Sequence, residues 1–204
     1  MFPLEGSMND HRSRERAQDS HPTRRVFLGG AVAVSVGALA GCMGDDDGPD
    51  AISIPSEQAC DQCSMEIGRH PGPNGQAHYD DAEALFDEDR PAMFCASTCA
   101  YVWTFEREDE GHDPTAFYLT DYSSVDYSVD EDAGIVEISS HLEEETFASA
   151  TDLALVVDSE VEGAMGPSMI GFSDADDAEE FQAEWGGDVY DHDDVTPDLV
   201  MSMM

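Results

Sequence analysis

Short apolar runs alternate with turn residues in the front half of the chain, a pattern typical of small strands joined by loops. The runs predict strands at 76–79, 91–94, 117–119 and 125–129. Two helices are expected between them, a short one over 81–86 and a longer one that begins at Ser97 or Thr98 and ends near Arg107. Gly and Pro residues cluster at 68–75 and predict a loop before the first strand.

The back half repeats this order of elements. Its apolar runs predict strands at 153–157, 169–172 and 188–190. A loop at 163–167 separates the first two strands. A helix is expected after Ser173 or Asp174, because apolar residues recur at helical spacing until Gly186 and Gly187 end it. The predicted fold class is therefore α+β, with two small similar units that each run strand–loop–strand–helix–strand.

The patterns divide the chain into six segments. These are a signal at 1–41, an acidic tether at 42–51, an N-terminal metal-binding unit at 52–130, an acidic linker at 131–150, a C-terminal unit at 151–192 and a tail at 193–204. The signal and the tether are expected to be disordered, with no fold of their own.

The signal carries two export features. Arg24 and Arg25 precede an apolar run at 26–40, which is shorter than the about 20 residues of a membrane span. Paired arginines before such a run resemble a twin-arginine (Tat) signal. The run ends Leu-Ala-Gly-Cys42, which resembles a lipobox, so cleavage before Cys42 and lipid on its thiol are expected. An uncleaved anchor helix is the alternative, and both place the domain at the outer face of the cytoplasmic membrane.

Acidic residues dominate the composition. The formal net charge is −38, with 46 Asp and Glu against 8 Lys and Arg. Such a chain repels phosphate backbones, so nucleic acid is excluded as a partner. The acidic residues are spread over the whole mature chain, which favours the surface of a halophile's protein over a docking face or a hard-cation site.

Sulfur is the candidate chemistry. Lipid on Cys42 leaves four cysteines, which fall into two close pairs: Cys60 with Cys63, and Cys95 with Cys99. Met65 adds a thioether beside the first pair. Thiolate and thioether are soft donors that select Cu(I). For Cys60 and Cys63 the alternatives are a disulfide and a structural zinc corner, because exported cysteines meet oxidants. Cys95 and Cys99 are open to more interpretations: ligands of a shared zinc or of a second copper, a disulfide, or small buried hydrophobes.

The sequence around the first cysteine pair and the lack of catalytic motifs argue against an enzyme. A thioredoxin-type CxxC usually opens a helix, and the breakers at 68–73 would end one early. No nucleophile–histidine–acid signature, phosphate-binding glycine loop or zinc-protease motif is visible. A thiol–disulfide oxidoreductase is therefore the least favoured hypothesis.

The chain resembles the NosL family, lipoproteins that serve as copper chaperones for nitrous oxide reductase. The resemblance covers roughly residues 55–192 and rests on three features. They are the lipobox, the Cys-x-x-Cys-x-Met element at 60–65, and the order Met165-Gly166, Phe172, Gly186-Gly187. The family usually has Gly before the motif Met, where this chain has Ser64. The resemblance implies Cu(I) as cargo, nitrous oxide reductase as partner and no catalytic residues. Met165 is a candidate second thioether ligand, with a core methionine as the alternative reading.

Phe94-Cys95 and Cys99 resemble a second kind of motif, that of the treble-clef-like TRASH metal-binding modules. By this resemblance the four cysteines close one tetrahedral site, so Zn²⁺ stays open as the alternative to Cu(I). His78 is a minor candidate for a nitrogen ligand. The methionines at the end of the chain, Met201, Met203 and Met204, are expected to belong to a frayed terminus.

Overall fold

The computed structural model describes residues 48–132 and 134–204, all of which belong to one compact unit, Gly44–Met204. The predicted signal arginines, Arg24 and Arg25, and the predicted lipidation site, Cys42, lie outside the described residues. None of the helices in the described ranges has both the length and the apolar character that a membrane crossing requires.

Four α-helices and nine strands are present among the described residues. In chain order they are β1 (Gly75–His78), α1 (Ala82–Phe86), β2 (Ala92–Phe94), α2 (Ser97–Asp109), β3 (Ala116–Thr120), β4 (Val129–Asp132), β5 (Ile135–Ile138), β6 (Phe147–Ser149), β7 (Ala154–Gly163), β8 (Gly166–Phe172), α3 (Ala175–Trp185), β9 (Asp188–Asp191) and α4 (Pro197–Ser202). Single 3-10 turns occur at Ile67–Arg69, Glu144–Thr146, Ala150–Asp152 and His192–Asp194.

The strands form two sheets. The first sheet has the order β2-β1-β3-β6 and is antiparallel throughout. The second has the order β4-β5-β7-β8, with β9 also paired to β7. Only the β5–β7 pair among these described strands is parallel.

One topology occurs twice. Residues 75–120 contain β1, β2, α2 and β3, and residues 154–191 contain β7, β8, α3 and β9; we call these the first and second repeats. In each repeat the first strand is central and pairs antiparallel with the second and the last strand. The predicted α+β fold of two similar strand–loop–strand–helix–strand units is confirmed.

The start of β7 and most of β8, in the second sheet, are buried on both faces. Along β7, Leu155 and Val157 belong to the core cluster that includes the first sheet and α2, whereas Val156 belongs to the cluster beneath α3. Along β8, Met169 and Ile170 divide in the same way. Burial on both faces explains why the sequence of β7 begins as an unbroken apolar run.

The region between the repeats departs from the prediction. The strand expected at 125–129 is wrong, because turns and bends occupy 122–125 and β4 begins only at Val129. The Tyr127 ring packs 5.4 Å from that of Tyr122 and 6.4 Å from that of Phe172, so the apolar alternation marks a loop that covers the core. Residues 131–150, expected to be a linker, contribute β5 and β6 to the two sheets.

The end of the chain is ordered. The prediction of a frayed terminus is wrong for α4, which packs against α2. Its N-terminus is capped by the Thr196 hydroxyl, which accepts a hydrogen bond from the Leu199 amide. Val200 and Met203 are buried, whereas Met201 and Met204 are exposed.

Candidate metal centre

Four cysteine sulfurs converge on one point. The Sγ atoms of Cys60, Cys63, Cys95 and Cys99 all lie within 4.8 Å of one another. The Cys63 and Cys95 sulfurs are 3.4 Å apart, and those of Cys95 and Cys99 are 3.9 Å apart. All four are free thiols. The two cysteine pairs of the sequence therefore form a single cluster.

A tight loop holds the first pair. The Cys60 amide donates to the Met65 carbonyl at 2.8 Å, and the Ser64 amide donates to the Cys60 carbonyl at 2.8 Å. Ser64 has φ 65°, in the left-handed region that favours glycine. The usual glycine of the family at this position therefore has a conformational reason. Cys60 and Cys63 lie in this turn and do not open a helix, unlike a thioredoxin-type pair.

The second pair lies where a strand becomes a helix. Cys95 directly follows β2, and Cys99 lies in the first turn of α2. The N-cap residue is Ala96, which offers no side-chain cap. The positive end of the helix dipole at this N-terminus stabilises thiolates.

A hydroxyl ties this helix start to the second repeat. The Ser97 Oγ lies 3.0 Å from the Ser168 Oγ and accepts a hydrogen bond from the Met169 amide at 3.0 Å. Met165, the other candidate thioether, is partly buried near the β7–β8 turn, three residues before Ser168. Its role as a ligand stays a prediction.

The three buried thiols of the cluster have pKa values shifted in opposite directions. Hydrogen bonds from Cys95 and Cys99 lower the pKa of the Cys60 thiol far below its usual range, although burial opposes this shift. The bonds to Cys60, together with burial, raise the pKa of the Cys95 and Cys99 thiols. One thiolate is therefore held by two protonated neighbours, and a cation that binds all of them must release those protons.

Access to the cluster is one-sided. Cys60, Cys95 and Cys99 are at most 3% exposed, whereas Cys63 is only half-buried. Met65 is also half-buried and packs against the same core cluster. An ion or an incoming ligand can therefore reach the cluster on the side of Cys63.

An ion pair that the sequence analysis missed supports the first loop. The Arg90 guanidinium donates to both carboxylate oxygens of Asp61, at 2.8 and 2.9 Å, and the Met93 amide donates to Asp61 Oδ2 at 2.7 Å. The only signal in the sequence is that Arg90 is one of three arginines beyond Cys42.

His78 lies outside the cluster. Its Nε2 atom is 3.3 Å from the Gln76 side-chain oxygen, and its ring packs edge-on against Tyr118. Burial lowers the pKa of His78, so it stays neutral within the core. The minor prediction of a nitrogen ligand is therefore wrong for the described cluster, whose members are all cysteines.

The geometry suits a soft ion. Zinc–thiolate bonds of about 2.3 Å place the sulfurs of a tetrahedral site about 3.8 Å apart. The Cys63–Cys95 and Cys95–Cys99 sulfur separations of 3.4 and 3.9 Å bracket that value, so small side-chain rotations would close the site. Thiolates also suit Cu(I).

Comparisons with known proteins give a family match and two similar solved structures. The sequence model of the NosL family matches residues 51–200. The crystal structure of the copper chaperone NosL from Shewanella denitrificans is similar at 26% identity and a TM-score of 0.58, over 73% of this chain and 97% of that one. The solution NMR structure of the apo-NosL protein from Achromobacter cycloclastes is 22% identical, with a TM-score of 0.35, over 62% of this chain and 87% of that one. Comparison with curated proteins gives no match. Since the family match spans well over half of the sequence, the chain belongs to the NosL family.

Proposed function

We propose that this protein is a copper carrier that binds Cu(I) at the four-cysteine cluster and delivers it to exported nitrous oxide reductase. The observation that carries the proposal is the convergence of four free sulfurs within 4.8 Å in a member of the NosL family. The similarity to a copper chaperone structure over 97% of that chain supports it. The protein acts as a carrier, with no catalytic residues of its own.

Delivery starts from the accessible side of the cluster. Cu(I) enters at Cys63, and each protonated thiol that binds it releases its proton to solvent as the thiolate forms. Met65 supplies a thioether beside the opening, and Met165 supplies another from the second repeat. The acceptor then replaces these donors one at a time, beginning with the half-buried ones, and no free ion is released.

The location of the protein is part of the proposal. Arg24 and Arg25 direct export by a Tat-type route, and lipid on Cys42 holds the domain at the outer face of the cytoplasmic membrane. The acidic tether at 42–51 gives the domain reach towards an exported acceptor.

Copper titration of the full chain tests the proposal. Cu(I) is added anaerobically, in a reducing buffer, against a coloured chelator that reports the free ion. The Cys63→Ser plus Met65→Leu double variant should bind at least tenfold more weakly, and the exposed Met204→Leu should serve as the matched control. Equal affinity of wild type and the double variant would contradict the proposal.

A copper-transfer assay tests whether nitrous oxide reductase is the acceptor. Copper-loaded protein is mixed with copper-free nitrous oxide reductase in the presence of a chelator that captures any free ion. Copper should reach the reductase despite the chelator. Copper found only on the chelator would exclude direct delivery to this acceptor.

Structural zinc is the second candidate, because four cysteines around one point are also typical of closed zinc sites. In that case the cluster stabilises the fold and the protein acts by docking. The metal content and thiol count of protein purified anaerobically distinguish the readings. If the purified protein contains zinc and unfolds when a chelator removes it, the structural zinc site is favoured. If the cysteines are found in a disulfide, the thiol–disulfide oxidoreductase is favoured.

A further inference from the structure

We infer that Asp61 and Arg90 are a positioning pair that fixes the distance between the two cysteine pairs and thereby sets the metal affinity of the cluster. This inference rests on the proposed function, because it concerns the same site. It assigns a role to two residues that do not themselves contact the ion.

Asp61 stands inside the metal-binding loop, between Cys60 and Cys63. Its carboxylate accepts two hydrogen bonds from Arg90 and one from the Met93 amide, at 2.7–2.9 Å. Its own amide donates to the Met93 carbonyl at 3.0 Å. All of these bonds connect the loop to the segment that ends at Cys95, so they join the two halves of the cluster.

Arg90 is itself held in place. Its Nη1 atom also donates to the Pro91 carbonyl at 2.9 Å, and its guanidinium carbon lies 5.0 Å from the centre of the Phe86 ring. A planar guanidinium that binds a carboxylate through two bonds fixes both distance and angle, which a lysine cannot do.

Burial makes this pair different from the Arg69–Glu66 ion pair near the same loop. The side chains of Arg90 and Asp61 are 21% and 12% exposed, whereas those of Arg69 and Glu66 are 73% and 42% exposed. Salt screens the exposed pair more strongly. In a chain of net charge −38, an unpaired carboxylate between two metal-binding cysteines would also add to the local negative charge.

The two cysteine pairs come from segments more than 30 residues apart, and Cys63 and Cys95 touch at 3.4 Å. If the ion pair is weakened, the loop is free to move away from β2 and this approach is lost. The ion would then be bound by fewer sulfurs at a time.

The test compares Cu(I) affinities of full-length variants at one salt concentration. We expect Arg90→Gln and Asp61→Asn each to weaken binding by about 10- to 100-fold, the range for residues that orient metal ligands. The double variant should lose no more than either single variant, because both remove the same interaction. Arg90→Lys should lie between wild type and Arg90→Gln, and Arg69→Gln is the matched control with no change.

X-ray absorption at the copper edge separates positioning from folding. The variants should show fewer sulfur neighbours per copper at temperatures well below their unfolding transitions. Equal affinity and equal sulfur coordination in wild type, Arg90→Lys and Arg90→Gln would overturn the inference, even if the melting temperature falls. Failure of the proposed function is distinguishable, because it would appear as absence of Cu(I) binding in the wild type.

Discussion

Each repeat has a two-residue junction between its second strand and its helix, but the side chains at the two junctions have different roles. In the first repeat β2 ends at Phe94 and two residues, Cys95 and Ala96, precede α2. In the second repeat β8 ends at Phe172, and Ser173 and Asp174 precede α3. The backbone plan is shared, while the side chains differ in chemistry.

The second junction is closed by hydrogen bonds to carboxylates. Asp174 caps α3 by accepting a bond from the Asp176 amide. The amide and the hydroxyl of Ser173 both donate to the buried Asp121, at 2.9 and 2.8 Å. At the first junction the cap is an alanine, and cysteine thiols occupy the comparable place. A helix N-terminus favours anions, which are carboxylates in the second repeat and the thiolates that form on metal binding in the first, so the fold fixes the place and the side chains decide whether it binds metal.

Cys95→Ser gives the first junction the residue of the second and should have the largest effect. Loss of a sulfur that touches two others should weaken Cu(I) binding beyond the about 100-fold typical of supporting residues, which is at least about 2.7 kcal/mol. Titration against a coloured chelator measures it. Ser173→Ala is the matched control, with unchanged affinity, and a Cys95→Ser protein that still binds like wild type would remove Cys95 from the site.

Asp121→Ala tests the second junction. It leaves the Ser173 amide and hydroxyl and the Ser123 amide without their carboxylate partner. Charged hydrogen bonds are each worth about 1.5–3 kcal/mol, and water that replaces the carboxylate satisfies part of the three freed donors, so the free energy of unfolding should fall by about 2–3 kcal/mol in urea denaturation rather than by the full sum. Cu(I) affinity should stay within twofold of wild type.

The exposed Asp126→Ala is the control for this variant, and its stability should be unchanged. If Asp121→Ala lowers the free energy of Cu(I) binding by more than it lowers the free energy of unfolding, the two junctions are coupled. The first repeat would then not bind metal independently of the hydrogen bonds in the second.

Local sequence pattern was sufficient for the repeats and for the two cysteine pairs, but not for their union in one cluster. Helix α3 was predictable because its apolar stripe ends at Gly186 and Gly187, where the chain turns to positive φ. The cysteine pairs were visible as spacings, whereas the bonds of Asp61 to Arg90 and Met93, which hold the first loop against β2, were not.

The missed features depend on distant partners. Strand β4 is acidic and pairs with β5, which in turn pairs in parallel with the far end of β7. Asp61 and Arg90 are 29 residues apart and form no periodic pattern. Tertiary contacts stabilise such elements, and sequence periodicity does not report them.

Ser97→Ala tests the link between the repeats. Its fully buried hydroxyl bonds to Ser168 and accepts from the Met169 amide, so alanine leaves two buried groups with fewer partners. We expect a loss of about 1–2 kcal/mol in the free energy of unfolding by urea. The exposed Ser56→Ala is the control. A neutral Ser97→Ala would mean that apolar packing alone joins the repeats.

The smallest effect comes from exchanging residues at two left-handed turns. The metal-binding loop that precedes the first repeat places Ser64 at φ 65°, whereas the second repeat's hairpin places Gly166 at φ 86°. A Cβ at Gly166 would meet nothing within 4 Å, so Gly166→Ala suffers only the conformational penalty, about 1 kcal/mol. Ser64→Gly should gain up to about 1 kcal/mol, reduced by the greater freedom of glycine in the unfolded chain. Urea denaturation of both variants measures the opposite signs. If Ser64→Gly is destabilising, side-chain contacts of Ser64 outweigh its backbone strain, and the glycine usual in the family has another cause.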